Sequence, residues 1–266
     1  MILYGLLGLL LGQVVVWLAD RLPMGRPLHE VSLCPACGRA ALAHRPGPAW
    51  LIAVGWRSCG LQRSRWRWRS FAAMLITAAG FAFFWSRYPL ARDLIPLSVY
   101  WAIFVLITLI DLEHRLILNV VVLPAIVLAI GGSFLTTGPG IWRALLGGLT
   151  GFVLVYGIYL LGIVFARVMS RRRGQPIREV AFGAGDVKFA AFIGLVTGLP
   201  GIVFALVIGI LSGGIAAGAC LLWGALVRRR YVAFTAIPYG PFLALGGVIM
   251  MVYGPQIVAW YVQPYM

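Results

Sequence analysis

Acidic residues are scarce in this chain, and charge of either sign is rare. The 266 residues include seven Asp and Glu against 22 Lys and Arg, and these four types together make up 11% of the sequence. A soluble domain carries about 25% charged residues, so the composition excludes an ordinary water-soluble fold. Cysteine is scarce as well: four unevenly spaced residues are too few for the disulfide framework of a small secreted protein.

Apolar sequence is what the chain has in excess. Hydrophobic residues make up 62% of it, and its mean hydropathy is +0.95. Repeated apolar stretches of roughly membrane length predict an all-α fold, a polytopic helical membrane protein with about eight transmembrane helices. They cover residues 2–19, 71–85, 94–111, 117–135, 143–168, 187–199, 201–227 and 236–262, of which the second and sixth are short. No basic segment precedes the first stretch, so we expect a retained helix and not a removed signal peptide.

Lys and Arg fall almost entirely on one side of this predicted topology. Nineteen of the 22 lie in or beside the odd-numbered connections, and the exceptions are Arg87, Arg92 and Arg143. Because cytoplasmic loops of membrane proteins collect Lys and Arg, we expect the odd connections to be cytoplasmic. An even number of spans then puts both termini on the outer side. In a soluble protein this positive excess would suggest nucleic acid, but here it indicates orientation in a lipid bilayer, and we expect no nucleic-acid partner.

One connection, residues 20–70, is long enough to form a small cytoplasmic domain, and it contains three of the four cysteines. The chain is therefore expected to divide into a first transmembrane helix (1–19), this Cys-containing domain (20–70) and a seven-helix membrane domain (71–266). Arginine and tryptophan alternate in "RSRWRWRS", residues 63–70. Such a run suits a nucleic-acid patch or a membrane-surface anchor, and the headgroup preference of Trp and Arg favours the anchor.

Two of the seven acids, Asp111 and Asp186, lie at the predicted cytoplasmic ends of apolar stretches. One interpretation gives them structural roles: Asp111 reaches the membrane surface, and Asp186 caps the helix that follows it. The other is chemical, because two facing carboxylates share a proton, and one then activates water while the other donates to a substrate carbonyl. That chemistry cleaves a peptide bond without a metal. Gly183 and Gly185, which lack a Cβ, would let a substrate strand approach closely.

Five segments occur in an order that resembles the type IV prepilin peptidases, membrane aspartyl proteases with a Gly-x-Gly-Asp motif. They are "GQVVVWLADRLP" (12–23), "CPACG" (34–38), "LIDLEHRLILNVVVLP" (109–124), "GAGDVKFAAFIG" (183–194) and "IPYGPFLALGG" (237–247). Each segment alone is moderately specific, whereas five in order are a strong signal. The resemblance covers nearly the whole chain.

The resemblance implies that Asp111 and Asp186 are the catalytic pair, acting at the cytoplasmic face of the bacterial inner membrane. It also implies the substrates: prepilins and pseudopilins, whose short basic leader ends in glycine before a hydrophobic helix. Glu113 is a candidate helper for binding the basic leader. Lys188, two residues after Asp186, either acts on the pKa of that acid or binds lipid phosphate. Proteolysis of this kind needs no cofactor.

Many members of the family also methylate the new N-terminus with S-adenosylmethionine, an activity associated with the cysteines of the cytoplasmic domain. The family usually has two Cys-x-x-Cys pairs, which suit tetrahedral zinc, but here Trp56 stands where one of these cysteines would be. The candidate metal ligands that remain are Cys34, Cys37 and Cys59. Either they bind zinc with His44 or His29 as the fourth ligand, or they are free thiols in the reducing cytosol.

Three other functions compete with this one. An archaeal preflagellin peptidase shares the Gly-x-Gly-Asp chemistry, but the Cys-containing domain argues against it. A proton- or ion-coupled transporter would use paired carboxylates near the membrane midplane, often in inverted repeats, whereas these acids lie at helix ends. A degenerate homologue that binds or methylates pilins without cutting them is the third, and the intact aspartates argue against it.

Overall fold

The computed structural model describes residues 1–25, 65–88, 92–173, 183–227 and 238–263. This part of the chain is helical and contains no β-strand. Its helices are α1 (Ile2–Arg21), α2 (Arg65–Arg87), α3 (Leu94–His114), α4 (Asn119–Gly132), α5 (Ile141–Arg173), α6 (Ala184–Thr197), α7 (Gly201–Val227) and α8 (Gly240–Val262). A 3₁₀ turn, Leu22–Met24, with Pro23 inside it, directly follows α1.

Six of these helices are long and apolar enough to cross a membrane: α1, α2, α3, α5, α7 and α8. Helices α4 and α6 have 14 residues each, which is about 21 Å, against about 30 Å for a bilayer core. The all-helical fold is thus confirmed for the described residues, while the number of eight membrane spans stays a prediction. Large apolar side chains on these helices are highly exposed, including Leu3 (83%), Trp142 (77%) and Ile215 (73%), as lipid-facing residues would be.

The chain forms two compact units, Met1–His114 and Arg115–Met266. In the first unit, α1 packs closely against α2 and also contacts α3. Close approach of α1 and α2 depends on glycine, because a Cβ at Gly12 would lie only 2.8 Å from the Cα of Met74. Phe81, Phe84 and Phe104 fill the space between the helices and are at most 2% exposed.

In the second unit, α6 packs against each of the other four described helices. Phe189, Ala190 and Phe192 of this helix are fully buried, so α6 is the core of the unit. A helix covered on every side is apolar all round, which explains why its sequence has the composition of a membrane span although it is short.

Helices α5 and α6 are in direct backbone contact and run antiparallel. A Cβ at Gly148 would lie 2.8 Å from Leu195 Cγ, and the side chain of Ile202 and the carbonyl of Ala190 lie beside Gly151. At the far end of α6, the Leu199 N–H donates to the Arg143 carbonyl at the start of α5, with N and O 3.0 Å apart. The first residues of α6 therefore lie at the opposite end of the unit from the start of α5.

The cysteine-bearing stretch is a prediction that the structure does not reach, since residues 26–64 lie outside the described part. Helix α2 begins at Arg65, inside the stretch assigned to the 20–70 domain. The division into 1–19, 20–70 and 71–266 stays a prediction.

Candidate active site

Asp186 lies in the first turn of α6, three residues after the N-cap residue Gly183. Its Oδ2 accepts a hydrogen bond from the Gly183 N–H, with N and O 2.7 Å apart. An acid at this position satisfies a backbone donor at the helix start, and its negative charge is favoured by the helix dipole. The prediction that Asp186 is the N-cap of this helix is wrong, because Gly183 is the N-cap and Asp186 is the third helical residue. A capping role leaves the chemical role open.

The two glycines before Asp186 have different surroundings. A Cβ at Gly185 would lie 2.8 Å from the Cβ of Ile117 and 3.1 Å from its carbonyl oxygen. A Cβ at Gly183 would meet nothing closer than Asp186 Oδ2 at 3.6 Å, and the backbone of Gly183 is extended, with φ −94°. Glycine is therefore required by packing at Gly185 but not at Gly183.

We expect Gly185→Ala to lower the free energy of unfolding by about 1–3 kcal/mol, the usual effect of overpacking. Gly183→Ala is the matched control and should change it by less than about 0.5 kcal/mol. Unfolding in detergent, followed by circular dichroism, measures both. Equal losses in the two variants would contradict the placement of Ile117 against Gly185. A stable Gly183→Ala variant with reduced cleavage would instead indicate that a substrate backbone passes over Gly183.

Lys188 extends from α6 to the start of α4. Its Nζ donates to the side-chain oxygen of Asn119, with N and O 2.7 Å apart. Residues two apart on a helix do not face each other, so Lys188 lies on a different side of α6 from Asp186. The contact brings the first turns of α4 and α6 together. Neither predicted role of Lys188, on the pKa of Asp186 or on lipid phosphate, is tested by this geometry.

Asp111 lies in the last turn of α3, three residues before the helix ends at His114. The residue is 5% exposed. A carboxylate that reaches the membrane surface should be exposed, so the surface interpretation of Asp111 is wrong for this structure. Asp111 belongs to the first compact unit, whereas Gly183, Gly185, Asp186 and Lys188 all belong to the second.

Glu113 follows Asp111 by two residues and pairs with the guanidinium of Arg69 on α2. Arg69 also donates from Nη1 to Asp20 Oδ1 on α1, over 2.8 Å. The sequence did not single out Arg69, because nothing in the Arg–Trp run distinguishes it from its neighbours. The predicted role of Glu113 as a helper for leader binding is untested.

Tyr239 is a second residue that the sequence did not single out, although it lies inside the motif at residues 237–247. It precedes α8, and its hydroxyl lies 3.4 Å from the Ile210 carbonyl oxygen on α7. Burial raises the pKa of Tyr239, and the negative charge of Asp186 raises it further. The phenol therefore stays protonated at neutral pH as a hydrogen-bond donor on the Asp186 side of the second unit.

The candidate zinc ligands Cys34, Cys37 and Cys59 lie outside the described residues, as do His29, His44 and Trp56. Within the described ranges, no three His, Cys, Asp or Glu side chains are grouped so that they could hold a metal ion. Zinc and S-adenosylmethionine binding thus stay predictions from the resemblance.

The chain is similar to known proteins along most of its length. The profile of the Type IV leader peptidase family matches residues 98–218, which include both aspartates and both glycines. A prepilin leader peptidase/N-methyltransferase of Bacillus subtilis (strain 168) is 25% identical over 260 residues, covering 96% of this chain and 95% of the relative. Proteins of the same name from Aeromonas hydrophila (25% identical, 86% of this chain, 74% of the relative) and Dichelobacter nodosus (29%, 86% and 73%) also match.

No solved structure matches the chain. The ordered motifs, the all-helical fold with its apolar helices, the family profile and the near full-length similarity to the Bacillus protein agree with one another. Together they support the assignment of the chain to the type IV leader peptidase family, to which it is similar.

Proposed function

We propose that this protein is a membrane aspartyl endopeptidase that removes the basic leader of type IV prepilins and pseudopilins, cutting after a glycine on the cytoplasmic side. The observation that carries this function is the family match over residues 98–218, because that range contains the whole candidate peptidase site. The curated relatives are named for prepilin leader cleavage. Six apolar helices make the chain a multi-pass membrane protein, as cleavage beside a hydrophobic substrate helix requires.

Asp111 and Asp186 are the proposed catalytic pair, and we give Asp186 the role of base. The hydrogen bond from Gly183 N–H and the N-terminal end of α6 both favour a carboxylate at Asp186. Asp186 then takes a proton from a water molecule, whose oxygen attacks the carbonyl carbon of the leader glycine, while Asp111 donates its proton to the carbonyl oxygen. As the C–N bond breaks, the amine takes the proton from Asp186, and Asp111 recovers its own.

Eight membrane passes, with both termini outside, are the proposed topology. Helix contacts in the second unit support it: the first turns of α4 and α6 meet through Lys188 and Asn119, and α5 runs antiparallel to α6. If α6 spans the membrane, Arg171 and the arginines after α7 lie on the same side of it, as the positive-inside rule requires. The bilayer would thin locally around the two short helices.

Methyl transfer to the new N-terminus is a further part of the proposal. It rests on the names of the relatives, which include N-methyltransferase, and on the resemblance at residues 34–38. S-adenosylmethionine would supply the methyl group. The 20–70 domain would hold the residues for this step. If this chain has lost one of the two activities, Trp56 in place of a cysteine indicates that methyl transfer is the one lost.

The test uses the purified protein in detergent with a synthetic peptide that contains a basic leader, a glycine and the start of an apolar helix. We expect one cut, after the glycine, and no cut when that glycine is replaced by leucine. Mass spectrometry with S-adenosylmethionine present also detects one added methyl group on the mature fragment.

Three outcomes would each favour one of the competing functions. Faster cleavage of an archaeal preflagellin leader than of the prepilin peptide would favour the preflagellin peptidase. No cleavage of either peptide, together with proton flux into liposomes that contain the protein, would favour the transporter. A methylated peptide that remains uncut would support the degenerate homologue.

A further inference from the structure

An ion cluster joins α1, α2 and α3, the described helices of the first unit. Its centre is Arg69 of α2, which donates from Nη1 to Asp20 Oδ1 of α1 over 2.8 Å and pairs through Nε with the Glu113 carboxylate of α3. The side chains of Asp20 and Arg69 are 2% and 13% exposed, and that of Glu113 is 31% exposed. One guanidinium therefore connects two carboxylates that lie 93 residues apart in the chain.

Arginine suits this role because its donors have a fixed planar geometry. Two carboxylates bound to different edges of one guanidinium are held at a fixed separation and orientation. Asp20 is nearly inaccessible to solvent and fixes the position of Arg69. Arg69 in turn holds the more exposed carboxylate of Glu113 in place. Since replacing a whole buried ion cluster by neutral groups often leaves stability unchanged, stabilisation alone does not account for the arrangement.

The bridge ends within the turn of α3 that contains Asp111. Glu113 lies two residues after Asp111, which corresponds to about 200° around the helix axis, so the two carboxylates point to different sides. Helix α3 ends one residue after Glu113, and the next residue, Arg115, has a left-handed φ of 54°. No further helical turn holds this end, so the contact with Arg69 sets the rotation of the last turn and, with it, the direction of Asp111.

We propose that Arg69 is a positioning residue for leader cleavage, which holds Glu113 against Asp20 and thereby orients Asp111 for catalysis. This inference rests on the proposed function. Arg69 acts through α3 and touches neither the substrate nor the reacting atoms. Glu113 then has a positioning role and not the leader-binding role expected for it, because its carboxylate is already paired with an arginine.

The experiment compares Arg69→Gln with Arg87→Gln in the full-length protein, using the prepilin peptide. Arg87 is the matched control: it ends the same helix, is exposed, and has no ion pair with another described residue. We expect Arg69→Gln to lower kcat about 10- to 100-fold with KM changed less than about threefold, the effect of a small misplacement of a catalytic group. Arg87→Gln should stay within about twofold of wild type.

A second variant separates positioning from stability. The triple variant Asp20→Asn/Arg69→Gln/Glu113→Gln removes every charge of the cluster, so its thermal midpoint should recover towards that of wild type, while kcat should stay low. Arg69→Lys should be intermediate, since one ammonium cannot hold both carboxylates in the geometry of a guanidinium. All rates are measured well below the lowest thermal midpoint.

Three results would overturn the inference. Wild-type kcat and KM in Arg69→Gln would remove any role for the residue, and recovery of kcat together with stability in the triple variant would make that role purely structural. A raised KM with unchanged kcat in Arg69→Gln would indicate leader binding. If Asp111→Asn is inactive while Arg69→Gln cleaves normally, the proposed function stands and only this inference falls. A wild-type protein that does not cleave removes both.

Discussion

Leader cleavage is expected to fall at least about 10³-fold in both Asp111→Asn and Asp186→Asn, because an amide neither takes a proton from water nor donates one as a carboxylic acid does. The fold should survive each change. Asparagine at position 186 keeps an oxygen that accepts the Gly183 N–H hydrogen bond, and asparagine at the buried position 111 introduces no charge. The readout is the rate of peptide cleavage by mass spectrometry, with the thermal midpoint in detergent as the control for folding.

The two variants also distinguish a catalytic pair from two structural acids. Cleavage that persists in both would leave Asp186 as a helix cap and Asp111 as a buried polar residue. Loss in Asp186→Asn alone would keep Asp186 as the base and exclude Asp111 as its partner. The protonated phenol of Tyr239 would then be the first residue to test, because it lies within electrostatic range of Asp186.

The sequence predicts the helices of this fold well because each is apolar over nearly its full length. The stretch predicted at 201–227 coincides with α7, and the stretch at 94–111 falls inside α3. Composition cannot distinguish a helix that faces lipid from one that faces protein, since both environments favour the same side chains. Helix α6, whose side chains are buried by four neighbouring helices, is therefore as apolar as the helices with exposed faces.

The site is predictable only to the extent that it is local in sequence. Two glycines and an acid before an apolar run predict a helix start at this point, although Gly183 is the N-cap and Asp186 accepts its N–H from the third helical position. The bridge from Arg69 to Asp20 and Glu113 spans 49 and 44 residues, and it depends on which faces of α1, α2 and α3 meet. No periodicity or spacing in the sequence indicates which of the many arginines makes this contact.

Gly194→Ala is expected to destabilise the second unit strongly. A Cβ at this position would overlap the backbone of Gly147 and lie 2.8 Å from the backbone nitrogen of Gly148. A flexible side chain could avoid the clash by changing its rotamer, but backbone atoms cannot, so α5 and α6 would have to separate. We expect a loss of about 3 kcal/mol or more, at the upper end of overpacking effects, measured by unfolding in detergent.

Gly157→Ala is the matched control, because Gly157 lies on α5, inside the same helix pair, and an added Cβ there meets no atom within 4 Å. It should keep the wild-type thermal midpoint, since the methyl group enters open space. Separation of α5 from α6 would also move Asp186, which α6 carries, so any Gly194→Ala protein that folds should cleave about 10²-fold more slowly. A Gly194→Ala protein as stable and active as Gly157→Ala would show that the two helices do not pack backbone to backbone.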